Sequence, residues 1–254
     1  MRVEYVRKDG LRLDVRRQAG KRLNLFRVTQ GACSDGKYIY MAFERKKSGA
    51  RARAVRIVKL DSDTMRIVRI SGALKIGHAN DMTYRDGILY ITHSFGSKVI
   101  HRVDAKTLKK QDDIGVRTGK AMFFNGIAKL GSGFVIRNMF GPGLIQTDRN
   151  FRALRYFNAD GRHKVSQCME VREGIIYRTY SDLQTEDRNS LATFDLDGTM
   201  LSDSKVEMMG ELEGCFMHKG ELWFTSYRKK EINGSLHCMA FIGKAVWDGE
   251  HPES

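Results

Sequence analysis

The stretch Gly77-His-Ala-Asn-Asp-Met-Thr-Tyr-Arg-Asp-Gly-Ile-Leu-Tyr-Ile-Thr-His-Ser94 reads as a short strand, an Asp86-Gly87 turn and a second strand. Variants of it occur four more times. Each copy can be anchored on the residue after its turn: Tyr40, Tyr90, Val135, Tyr177 and Trp223. Ten residues before each anchor stands a polar side chain: Gln30, Asn80, Asn125, Gln167 and Glu213. The residue after each of these is Gly31, Asp81, Gly126, Cys168 or Gly214. A fixed offset kept through five copies sets a register for the whole chain.

Working outward from that register, each unit has the plan strand A, tight turn, strand B, variable loop, strand C, turn, strand D. Unit one runs from Gln30 through Tyr38–Phe43 and Ala54–Leu60 to Met65–Ile70. Units two to four follow the same plan, with strand C at 99–103, 143–147 and 191–194. An aspartate opens the C–D turn at Asp61, Asp104, Asp148 and Asp195. There its carboxylate can accept backbone hydrogen bonds, a structural role. Unit five has strands A, B and C but lacks the Asp turn and nearly lacks strand D. Residues 1–28 hold spare alternating segments, Val3/Tyr5 and Leu11/Leu13/Val15. The simplest solution is ring closure, an N-terminal strand completing the last unit and removing exposed edges. Four-stranded units of this length fit propeller blades. The expected fold is all-β, a single five-bladed propeller domain over residues 1–254, with blades starting near 30, 80, 125, 167 and 213.

Composition narrows the function classes. The chain has 254 residues, 41% of them hydrophobic, and no apolar run approaches the ~20 residues of a membrane span. The first ten residues are charged throughout and lack the apolar core of a signal peptide, so a cytoplasmic protein is expected. The four cysteines show no CxxC spacing, and neither a zinc site, a disulfide framework nor a cofactor is expected. Forty-four Lys and Arg against thirty acids leave a net charge of +14, which favours anionic partners. The charge gathers in two runs, Arg45-Lys46-Lys47 with Arg51 and Arg53, and Arg228-Lys229-Lys230. Both are expected in B–C loops of neighbouring blades, where they form a basic rim.

In a propeller the innermost strand of each blade lines the central channel, so Gln30, Asn80, Asn125, Gln167 and Glu213 converge as a polar ring. Amides and a carboxylate supply the donors and acceptors a polar ligand needs. They can also serve only to hold ordered waters. His78 and Asp81 flank Asn80, and Glu170 follows Gln167. Strand B brings Glu44, His93, Asn138, Tyr180 and Tyr227 to the same rim. A His beside carboxylates is a general acid/base kit, so Glu213, Asp81 and His78 are the candidate proton carriers. Gln30, Asn80, Asn125, Gln167, Glu170, His93, Arg45 and Arg228 are the candidate substrate contacts. Cys168 and Cys215 are read as buried thiols rather than nucleophiles. No compact acidic loop supports a calcium site.

The run Val28-Thr-Gln-Gly-Ala-Cys-Ser-Asp-Gly-Lys-Tyr-Ile-Tyr40 resembles the first blade of plant-type glutaminyl cyclases, with their Phe-Thr-Gln-Gly-Leu motif. Phe124-Asn-Gly-Ile-Ala128 resembles an inner-strand motif of another blade there. The resemblance implies a five-bladed propeller that cyclises an N-terminal glutamine through a channel-mouth Glu. It carries over Gln30. The family's blade-two Glu-Gly is Asn80-Asp81 here, and Glu213-Gly214 places that residue pair in another blade. The leading reading is thus an enzyme or enzyme-like binder of a small polar or anionic substrate. Its competitor is a non-catalytic propeller whose basic face docks nucleic acid or an acidic protein. A glycan-binding module is disfavoured, since no aromatic recurs for sugar stacking.

Overall fold

A computed structural model describes residues 1–5, 26–45, 54–93, 98–119, 122–159, 165–181, 189–232 and 235–247. Within these, twenty strands form five four-stranded antiparallel sheets. The first blade is β2 (Phe26–Ser34), β3 (Tyr38–Arg45), β4 (Val55–Asp61) and β5 (Ile67–Ile70). The second is β6 (Asp81–Arg85), β7 (Ile88–Thr92), β8 (Val99–Asp104) and the short β9 (Ile114–Gly115). The third comprises β10 (Phe124–Leu130), β11 (Gly133–Asn138), β12 (Gly143–Thr147) and β13 (Ala153–Asn158). The fourth comprises β14 (Ser166–Arg172), β15 (Ile175–Tyr180), β16 (Ser190–Phe194) and β17 (Met200–Lys205). In the fifth, β18 (Glu211–His218), β19 (Glu221–Ile232) and β20 (Ser235–Val246) are completed on the outside by β1 (Arg2–Tyr5). The protein is a five-bladed β-propeller closed by its N-terminal strand, as the repeat register predicts. Among the described residues no helix is long and apolar enough to cross a membrane.

The repeated turns form for the reasons read from the sequence. Asp86 and Gly87 have φ of 49° and 81°, the paired left-handed conformation that a two-residue hairpin turn requires. At the C–D turns one oxygen of Asp61 accepts from the Thr64 backbone N–H and hydroxyl, at 2.9 and 2.7 Å. Asp104 does the same with Thr107, while Asp195 accepts from the N–H groups of Asp197 and Thr199. These bonds hold the Asp61, Asp104 and Asp195 carboxyls below their ordinary pKa. Met65, expected to open a strand, instead has φ 53° and ends the turn.

The hydrophobic core is not one mass but five wedges, one between each pair of adjacent blades. Tyr40, Ile57, Ile76, Leu89 and Val103 fill the wedge between blades one and two. Phe134, Ile145, Ile100 and Phe151 fill the next, and the Phe134 and Phe151 rings stack 4.5 Å apart. The wedge between blades five and one, around Met41, Leu60, Phe216 and Ile242, is the seam that closes the ring.

One placement differs from expectation. Arg228-Lys229-Lys230 does not lie in a loop: β19 runs on to Ile232 and pairs with β20 through Ile232–Ser235, beyond the end of β18 at Glu211. The two long strands therefore project as a hairpin on the face where the inner strands begin. The basic run at 46–53 and the alternating segment at 11–15 lie outside the described residues.

Closure depends on β1. Its backbone pairs with β20 from Arg2↔Val246 to Tyr5↔Gly243, Val3 is buried, and the Val3 N–H donates to Glu207 at 3.1 Å. Val3→Asp puts an unpaired charge into the wedge between blades four and five, at a cost of several kcal/mol. It should lower the melting temperature sharply and, by freeing the β20 edge, produce aggregates visible by size-exclusion chromatography.

Candidate functional site

The polar ring is built by irregularities in the inner strands. In β2 the pairing jumps from Thr29↔Phe43 to Ala32↔Met41, in β10 from Phe124↔Asn138 to Gly126↔Arg137. In β14 it jumps from Ser166↔Tyr180 to Met169↔Arg178, and in β18 from Leu212↔Ser226 to Gly214↔Thr225. The bulges fall on Gln30, Asn125, Gln167 and Glu213, the ring positions. In blade two Asn80 stands just before β6, after Ala79 at φ 52°. A bulge re-aims a side chain out of the pleat, which sets Gln30, Asn125, Gln167 and Glu213 apart from the regular strand pattern, while Asn80 is set by the turn before β6.

Asp81 holds the ring together. It is completely buried, and its Oδ2 accepts from the Ile127 N–H of blade three at 3.0 Å and the Met169 N–H of blade four at 3.1 Å. Its Oδ1 accepts from its own neighbour Met82 at 2.9 Å. Gly126 makes room for Arg137 beside Asp81: a Cβ there would sit 2.9 Å from Arg137 Cβ and 3.0 Å from its Nε, with Asp81 Oδ2 in ordinary contact at 3.5 Å. Burial pushes the Asp81 carboxyl well up, and the Ile127 N–H and the Arg137 guanidinium pull it back. Asp81, expected as a proton carrier, is thereby a scaffold residue: both oxygens are taken up inside the ring and neither is open to a substrate.

Asn80 and Arg137 complete the tie. Asn80 Nδ2 donates to the carbonyls of Asn125 and Gln167, both at 2.8 Å. Arg137 Nη2 donates to the same two carbonyls at 3.1 and 3.2 Å. Arg137 is almost fully buried, and burial with the nearby Arg178 charge lowers its pKa to about 10. It stays a cation at neutral pH. The sequence reading missed it, although a signal was present. Two residues after each anchor stand Ala42, Thr92, Arg137, Thr179 and Thr225, so an arginine takes a place that is otherwise small.

Glu170 is likewise drawn inward. Its Oε2 accepts from the Met217 N–H of blade five at 3.1 Å and its Oε1 from Val171 at 2.9 Å. The substrate contact expected of it gives way to a tie between blades. His93 closes β7 by stacking on His101, rings 5.4 Å apart at 10°, and His101 Nδ1 faces Asp113 at 2.9 Å. Cys168 and Cys215 are buried, and burial pushes the Cys215 thiol well up, which suits an inert thiol.

A different set faces the channel mouth. Glu213 is only 5% exposed and its carboxylate has no hydrogen-bond partner among the described residues. Gln30, in the neighbouring blade, is 2% exposed and its amide is similarly unpartnered. Gln167 Nε2 donates to Ser181 Oγ at 2.6 Å and Glu211 Oε1 at 3.3 Å. Glu44 Oε2 lies 2.8 Å from His78 Nδ1, which orients that imidazole and directs its Nε2 elsewhere. Burial raises the Glu213 carboxyl well above its usual range, and the Glu211 and Glu44 charges push it the same way. The described part of the mouth is therefore acidic, in a chain of net charge +14. Arg228 is exposed on the projecting hairpin, and the Arg45 side chain lies outside the described residues. Among the described residues no cluster of ligating side chains is suited to a metal.

No family model matches the chain, and no curated protein matches it either. Solved structures do. A GH43 β-xylosidase/α-arabinofuranosidase from a compost microbial metagenome, solved with xylotriose, is 12% identical over 87% of this chain and 91% of its own, with a TM-score of 0.56. A GH43 protein from Bacillus licheniformis is 11% identical over 88% of this chain and 54% of its own, with a TM-score of 0.56. Myxococcus xanthus glutaminyl cyclase is 13% identical over 59% of this chain and 66% of its own, with a TM-score of 0.45. Less than two thirds of those last two chains is spanned. At such identities the likeness establishes the fold.

Two outcomes follow from the geometry. Asp81→Asn keeps the shape but must turn an NH₂ toward one set of N–H donors. The expected loss is about 3 kcal/mol, a fall of roughly 6–12 °C in melting temperature. Glu213 behaves oppositely. Its folded pKa lies above its unfolded value, so its contribution is intact in acid and stability is lost as pH rises through that interval. Glu213→Gln should therefore melt near the wild-type temperature at about pH 4 and above it at neutral pH, a difference that calorimetry across pH reads directly.

Proposed function

We propose that the chain is an enzyme-like propeller that takes a small polar substrate bearing a basic nitrogen into the mouth of the channel and moves a proton through Glu213. The observation that carries this reading is the pair Glu213 and Gln30, both more than nine-tenths buried and neither hydrogen-bonded through its side chain among the described residues. A carboxyl and an amide that the surrounding strands do not use keep their hydrogen-bonding capacity for a ligand. Their companions at the mouth are acids, Glu44 and Glu211, so the complementary ligand is cationic rather than the anion that net charge alone favours. A carboxyl whose pKa is raised by burial holds its proton more tightly than usual and can serve as a general acid. His78, oriented by Glu44, supplies a second acid/base group, while Gln30 and Gln167 orient the substrate.

The specific form is cyclisation of an N-terminal glutamine. The α-amino nitrogen attacks the side-chain amide carbon, the new C–N bond closes the ring, and the C–NH₂ bond breaks to release ammonia. Glu213 takes the proton from the attacking nitrogen and delivers it to the leaving one. Incubation with peptides beginning in Gln, followed by ammonia release, tests this. Glu213→Gln should lower kcat by about 10²–10⁴-fold while remaining folded. Equal rates in the variant and the wild type would remove Glu213 from the chemistry.

The docking alternative has one observation of its own: the β19–β20 hairpin carries Arg228-Lys229-Lys230 past the inner strand on the same face. It predicts binding to nucleic acid that weakens steeply with salt and ignores Glu213→Gln.

A further inference from the structure

The exposed large apolar residues divide by place. Val68, Leu154, Tyr156 and Leu201 lie on the outer strands β5, β13 and β17. Phe140, 64% exposed, lies instead in the loop after β11, on the face where the inner strands begin. There it meets Phe123, which stands two residues before the ring residue Asn125. The two rings are 5.7 Å apart and perpendicular at 87°. Two extended residues span roughly 7 Å, so this aromatic pair sits at the edge of the ring.

The pair is held rather than loose. Met139 N–H donates to the Phe123 carbonyl at 2.7 Å, joining the two segments, and Asn138 Nδ2 donates to the Phe140 carbonyl at 2.6 Å. Gly141 at φ 88° and Pro142 then limit the loop. Lys98 Nζ lies 5.5 Å from the Phe123 ring centre, and the Phe140 side chain stays largely exposed. An exposed aromatic on a fixed loop beside a polar pocket is preorganised contact area. Blade three also lies across the ring from blades five and one, which carry Glu213 and Gln30.

We propose that Phe140 and Phe123 form an apolar subsite of the channel mouth, and that the ligand is an amine carrying an aromatic group: nitrogen toward Glu213, ring on Phe140. This rests on the reading of the mouth as an amine site. It adds a specificity determinant that the polar ring does not supply.

The test is calorimetric titration of the full chain with 4-phenylbutylamine, n-butylamine and 4-phenylbutanol, and with phenylalkylamines of shorter chain. The phenyl amine should bind roughly tenfold more tightly than butylamine, the size of one aromatic contact with its burial. Phe140→Ala should abolish that advantage without moving the melting temperature, and Phe140→Leu should keep part of it. Glu213→Gln should weaken both amines alike. Equal affinity of the two amines for the wild type, an advantage that survives Phe140→Ala, or no binding of either phenyl compound overturns the subsite. If phenylbutanol binds as well as the amine and depends on Phe140, the subsite stands and the amine reading fails. If Phe140→Ala instead dissolves a dimer in sedimentation, the patch is a subunit contact and the proposal falls.

Discussion

The Asp81 carboxylate is the interaction on which the rest of this propeller depends. A ring of five blades has its inner strands pointing at a common axis, where their bulged backbones present N–H groups that no neighbouring strand can pair. One buried carboxylate from blade two reaches across and accepts from blades three and four. The Asn80 amide and the Arg137 guanidinium take the carbonyls that the same bulges leave over. The Arg137 charge also favours the ionised form of Asp81 against its burial, while Arg137 Nε and Asn125 Oδ1 stay buried without a hydrogen-bond partner among the described residues.

The five blades are alike enough to tile a ring and unlike enough to leave one sector open. Asp81, Asn80 and Arg137 tie blades two to four to one another at the centre. Glu213 and Gln30 of blades five and one are buried as deeply but make no side-chain hydrogen bond among the described residues. The pseudo-symmetry is broken by two residues out of pattern, Asp81 where the others have Gly or Cys and Arg137 where the others have Ala or Thr. The consequence is an axis tied by hydrogen bonds from Asp81, Asn80 and Arg137 on one side, with Glu213 and Gln30 outside that network.

Closure and extension meet in one blade. β1 supplies the outer strand of blade five at one end of β20, and at the other end β19 and β20 extend past β18 as a hairpin on the face where the inner strands begin. The same blade provides Glu211 and Glu213. The seam of the ring and the unsatisfied acid therefore lie side by side, in the one blade assembled from both ends of the chain.

The sequence by itself determined the five-fold register, the closure by an N-terminal strand and the identity of the ring residues, because each rests on local physics. Turn residues such as Asp86-Gly87 select hairpins, and a ten-residue offset places a side chain at the same depth in every blade. Only the tertiary structure decided which polar residues are consumed and which are free. Asp81 and Glu213 are acids one register position apart, in blades two and five, and neither position alone tells which is hydrogen-bonded into the ring. Their difference arises from contacts between blades 46 and 88 residues distant along the chain. The Glu44–His78 pair, the burial of Arg137 and the acidity of the mouth likewise follow from strands brought together by ring closure. Hydrogen bonding and burial at the axis are properties of all five blades at once, so they come into being only when the ring has closed.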